Sequence, residues 1–207
     1  MKLWILFHII ILFSYSMNAI DTLIFLGDSL TAGYNIAKHK AYPNLIQEKI
    51  GSSNVTIINA GISGDTTFTL INRLNFTLDN TKPEVAFVAI GANDGLRGYN
   101  PTIIKENITT IITILKNRKI TPILAGITLP QNYSKQYISD FENIYKEVAT
   151  ENQILFYPNL LLNVAGVDKL NLNDRIHPNE DGHQIMATNI YEFIISNNII
   201  ETKNSLK

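Results

Sequence analysis

Cysteine is absent from the 207 residues, so the chain has neither disulfides nor a cysteine for lipid attachment, and its stability must come from packing. Charge of one sign is missing as well. Lys and Arg number 17 against 18 Asp and Glu, and no run of five like charges occurs that would bind nucleic acid or a membrane surface. With no Cys and no His-x-x-x-His spacing, no metal site is expected. The sequence also lacks G-x-S-x-G, the elbow that carries the serine of α/β-hydrolases. Repeats, low-complexity tracts and Pro/Ser-rich linkers are absent too, and 45% hydrophobic residues suffice for one core, so a single domain is expected.

Long apolar runs are missing except at the start, where Lys2 precedes an almost unbroken run from Leu3 to Phe13. That run is too short for a bilayer core, which needs about 20 residues, and small or polar residues follow it. Residues 1–19 therefore read as a cleavable secretory leader and 20–207 as the mature domain. Ser14-x-Ser16 and Met17-Asn18-Ala19 both offer cut sites, so the mature chain is expected to start between Met17 and Ile20. A periplasmic or secreted protein follows, with no stable membrane anchor once the leader is removed. Loss of Lys2 takes the formal charge one unit below its full-length value of −1.

Short β-branched runs then alternate with segments of helical period, the pattern of a parallel sheet covered by helices. Strands are expected at 22–26, 55–59, 85–90, 123–127 and 154–157. Helices are expected at 42–50, 67–78, 102–116, 139–150 and roughly 181–196. In such a sheet ligands bind beyond the carboxyl ends of the strands. There stand Ser29 in GDS, Gly64 in NAGISGDT, Asn93 in GAND, and Asp174 with His177 in DRIHP. A serine hydroxyl needs a base to take its proton, and an imidazole oriented by a carboxylate is such a base. Asp174 and His177 are three apart, so one turn of chain brings them together. Donors for an oxyanion are then available from the N–H groups of Ser29 and Gly64 and the amide of Asn93.

GDSLTAGY, NAGISGDT, IGANDGLRG and DRIHPNEDGH, in this order, resemble the four sequence blocks of the GDSL or SGNH hydrolases. The segment LPQNY at 129–133 resembles the branch of that family formed by bacterial acyl-CoA thioesterases, lysophospholipases and arylesterases. The resemblance implies a flavodoxin-like three-layer α/β/α fold with a five-stranded parallel sheet. It also implies a triad of Ser29, Asp174 and His177 and an oxyanion hole of Ser29, Gly64 and Asn93. Carboxylic esters and thioesters of small molecules are the substrates so implied, turned over by a monomer without a cofactor. A carbohydrate acetyl esterase is the alternative within the family, and a non-catalytic binding protein on the same scaffold a further one. Leu96, Leu129 and Pro130, with Ile127, are expected to line an acyl groove. Asp28 is expected to cap the helix that follows and so leave Ser29 free, Asp65 to cap the helix near Thr67, and Asp94 to form a local turn with Gly95. His183 is expected to pack or hydrogen-bond on the last helix.

Overall fold

The computed structural model describes residues 20–51 and 55–200. The expected leader, 1–19, lies outside the described residues. Strands β1 (Thr22–Gly27), β2 (Thr56–Gly61), β3 (Val85–Ala89), β4 (Thr121–Ala125) and β5 (Leu155–Tyr157) form one parallel sheet in the order β2-β1-β3-β4-β5. β1 and β3 read as continuous apolar runs because both of their faces are covered. Phe25 and Phe87, paired across that register, pack at 5.1 Å between ring centroids. Each fully buried side chain of this kind contributes about 1.5–3 kcal/mol.

The described residues also form helices α1 (Ser29–Ala32), α2 (Tyr42–Ile50), α3 (Thr67–Thr81), α4 (Ala92–Leu96), α5 (Pro101–Asn117), α6 (Lys135–Asn152) and α7 (Glu180–Ser196), with short 3-10 turns at Lys38–Lys40 and Asp168–Leu170. α2 packs on α7, while α3 packs on α5 and α5 on α6. Right-handed crossovers place α2 on one face and α3, α5 and α6 on the other, and α7, packed on α2, shares its face. β1 lies where the strand order reverses, so the loops after β1 and β3 diverge and open a crevice at their carboxyl ends.

Three sequence expectations shift. β4 ends at Ala125 and does not reach residue 127, because Gly126 turns away so close to Pro158 that a Cβ there would lie 2.3 Å from its carbonyl oxygen. Ile127 thereby leaves the sheet for the crevice. α6 starts four residues early because Ser134 caps it, its hydroxyl oxygen accepting from Tyr137 N at 3.2 Å. α1 and α4 were not foreseen, since four or five residues are too few to show a period.

Candidate active site

Ser29 is the first residue of α1, at the carboxyl end of β1, and is 8% exposed. Asp28 caps that helix through Oδ1, which accepts from Leu30 N at 3.0 Å. The Ser29 hydroxyl is thus free to point across the crevice. Facing it is a short loop closed on itself, with Leu172 N donating to His177 O at 2.8 Å and Asn171 bridging Pro178. At its tip Arg175 adopts φ 59°, a left-handed turn that brings Asp174 back onto the residues after it.

Asp174 Oδ1 accepts from Ile176 N at 2.9 Å and His177 N at 3.0 Å, and Oδ2 lies 2.8 Å from His177 Nδ1. A ring nitrogen facing a carboxylate carries the proton, which leaves Nε2 as the acceptor for the Ser29 hydroxyl, 2.8 Å away. Burial on its own would raise Asp174. The two backbone donors and the imidazole outweigh it and hold the carboxyl below its ordinary range. Tyr34 lies over the same imidazole, 4.5 Å between ring centroids with a 38° tilt.

Gly64 and Asn93 meet at Asp65. Asp65 N donates to Ile62 O at 3.1 Å and closes a turn whose third residue, Gly64, has φ 88°. That geometry is a type II turn, which flips the preceding peptide and is the reason for glycine there. Asn93 Nδ2 donates to Asp65 O at 2.9 Å and keeps its second N–H. The Asp65 carboxylate is held by Arg73, Nε to Oδ2 2.6 Å, whose Nη2 also reaches Ala60 O at 2.8 Å and Gly27 O at 3.3 Å.

Beside these groups opens an apolar cavity of about 450 Å³. Leu96, Leu129 and Pro130 line it together with Ile127. Its wall also includes Leu30, Ala92 and Ile176, the chain neighbours of Ser29, Asn93 and His177. Every site residue singled out from the sequence therefore lies at one end of the sheet.

Residues 25–185 match the model of the GDSL-like lipase/acylhydrolase family. The chain belongs to this family. As a member it is a serine ester hydrolase. It is 34% identical over 176 residues to the arylesterase of Vibrio mimicus, covering 84% of this chain and 88% of the relative. It is 35% identical over 181 residues to the Escherichia coli protein named thioesterase 1/protease 1/lysophospholipase L1, covering 87% and 86%. Among solved structures, the esterase EstA of Pseudoalteromonas sp., inhibited by monoethylphosphonate, superposes with a TM-score of 0.82 at 29% identity, covering 86% of this chain and all of that one.

The hydrolase departs from two local expectations. Thr66 caps α3, in a reciprocal pair with Thr69, so Asp65 is released for Arg73. Asp94 forms no mere surface turn: it is buried, and its carboxylate takes Thr67 N at 2.9 Å and Thr67 Oγ1 at 2.6 Å. A carboxylate gains most there, against the positive end of α3. His183 is buried, its Nδ1 accepting from Tyr42 N at 3.2 Å, as the sequence led one to expect. Glu180 stands three residues before it, yet it is exposed while His183 faces inward. Arg73, Thr67 and Tyr34 escaped the sequence reading. Their partners lie on other strands and loops, and no spacing signals them.

Proposed function

We propose that the enzyme hydrolyses carboxylic esters and thioesters through a covalent acyl-enzyme on Ser29. The observation that carries this is the chain of two 2.8 Å contacts from Ser29 Oγ through His177 to Asp174. As Oγ bonds to the substrate carbonyl carbon, its proton passes to His177 Nε2, and Asp174 stays ionised beside the imidazolium. The oxyanion is received by the N–H groups of Ser29 and Gly64 and by the spare N–H of Asn93, each such donor worth roughly 10²- to 10³-fold in turnover. Collapse breaks the bond to the leaving oxygen or sulfur, which takes the proton from His177. Water, deprotonated by the same imidazole, then attacks the acyl-enzyme and releases the acid.

The relatives' names, arylesterase and thioesterase, agree with this chemistry, and a phosphonate of the kind that inhibits EstA mimics the tetrahedral intermediate. The apolar cavity takes the acyl chain along Leu96, Leu129 and Pro130, each covered methylene contributing up to about 0.8 kcal/mol. The leader directs the enzyme out of the cytoplasm and is cleaved, leaving 20–207 as a monomeric hydrolase domain. Among the described residues no helix is long and apolar enough to cross a membrane.

One experiment tests the reading. A fluorophosphonate probe should label the wild type but not Ser29→Ala, which should fold normally and lose about 10⁴-fold or more in turnover. Across p-nitrophenyl esters from acetyl to palmitoyl, kcat/KM should climb over several carbons and then level off, and Leu129→Ser should flatten the climb. Equal labelling of Ser29→Ala would remove the nucleophile. A preference for acetyl would transfer the enzyme to carbohydrate deacetylation.

A further inference from the structure

We propose that Tyr34 and Ile62 form the leaving-group subsite and select esters of planar aromatic alcohols. This rests on the triad reading and deepens it. Tyr34 follows the C-cap of α1, Gly33, and is anchored to the serine turn, its N–H donating to Ser29 O at 3.1 Å. Ile62 directly follows β2 and is anchored to the end of β1, its N–H donating to Gly27 O at 3.0 Å. Both backbones are thus tied to the segment 27–29. Both also present carbon to solvent, Tyr34 at 40% and Ile62 at 49% exposure. Large apolar side chains left open beside a reacting centre mark a surface that a ligand covers.

The direction of the substrate decides which part of it they meet. At a tetrahedral carbon on Ser29 Oγ the acyl chain and the leaving atom project apart. The acyl chain has the cavity of Leu30, Leu96, Ile127, Leu129 and Ile176, and neither Tyr34 nor Ile62 belongs to that wall. The leaving atom must lie beside His177 Nε2, which returns its proton. Tyr34 covers that imidazole at 4.5 Å, so whatever departs does so along its ring. The Tyr34 hydroxyl makes no hydrogen bond to the described protein, so its aromatic face is the functional part. Such a face holds another ring by offset stacking and gives an alkyl or thiol chain much less.

The test keeps the acid constant and varies the alcohol. For butanoyl esters of phenol, 2-naphthol and ethanol, and the butanoyl thioester of N-acetylcysteamine, kcat/KM reports acylation, the step in which the leaving group is still present. The ratio of kcat/KM on the two aryl esters to that on the other two substrates should fall about five- to tenfold in Tyr34→Ala and Tyr34→Leu, while Tyr34→Phe keeps the wild-type ratio. The deacylation rate, read from steady turnover after the p-nitrophenolate burst, should be unchanged because the alcohol has already gone. An equal loss on all four substrates, a slowed deacylation, or no loss at all would overturn the subsite. Absence of any burst in the wild type would instead fell the acyl-enzyme itself, a different result from any of these.

Discussion

Asp28 shares a peptide bond with Ser29 and is fully buried, with one oxygen capping α1 and Oδ2 meeting no donor. Burial pushes this carboxyl from 3.8 up to about 7; the Leu30 N–H pulls the other way, and Asp65 and Asp94 push it further up. The folded state therefore binds this proton more tightly than the unfolded chain does. Stability falls as pH rises between about 4 and about 7, and the whole cost is present above that window. Asp28→Asn keeps the shape and the cap without the charge. Its melting temperature should exceed that of the wild type at pH 8, with a ceiling of about 4 kcal/mol, and the difference should vanish toward pH 4. Thermal unfolding at pH 4, 6 and 8 measures it, and an offset independent of pH would refute the assignment. His183 supplies the opposite slope. Burial, and after it the charge of His177, lowers its pKa from 6.5 to about 4, so the unfolded chain binds that proton better and stability rises with pH in between. Below about 6.5 the two slopes oppose; above it Asp28 acts alone.

At the scale of elements, α3 has its task set by one side chain projecting back under the sheet. Arg73 ties α3 to the ends of β1 and β2 and, through Asp65, to the turn that presents Gly64 and to the carbonyl that orients Asn93. A lysine keeps the charge but has no planar fork to serve a carboxylate and two carbonyls at once. Arg73→Lys should fold with a lowered melting temperature and lose roughly tenfold in kcat at nearly constant KM, because only the transition state uses the donors it fixes. A rise in KM at constant kcat would place its influence on substrate binding. The strands were legible because buried parallel strands are apolar runs, GDS and GAND because they follow those runs with chemistry, and DRIHP because an acid and an imidazole three apart stand just ahead of the last helix. Arg73 was not, since its Asp65 partner and the carbonyls of Gly27 and Ala60 become neighbours only when β1 and β2 lie side by side. For Asp94, the local Asn-Asp-Gly pattern pointed to a turn, and the approach of α3 converted it into a buried anchor. The end of β4 depended on Pro158, thirty-odd positions later than the strand it stops.

At the scale of the whole molecule, the proposed acid and base travel together while the proposed nucleophile does not. Asp174 and His177 are three residues apart on one self-closed loop, whereas His177 and Ser29 are separated by 148 positions and joined by one hydrogen bond. Such a bond contributes about 1 kcal/mol, and a displacement of about 1 Å costs about 10²-fold in rate. Heating should therefore extinguish activity several degrees before the helical circular dichroism is lost, with recovery on cooling from that interval. Coincident midpoints would mean that the loop and the sheet form one cooperative unit.

The wide separation of Ser29 and His177 also has a meaning in time. A ribosome adds residue 29 well before residue 177, so on the proposed mechanism a growing chain carries a serine with no base to activate it. On that mechanism, hydrolysis can begin only after the later-made loop has returned to β1. A chain that turns over substrate by this route has already closed residues 171–178 onto the end of β1.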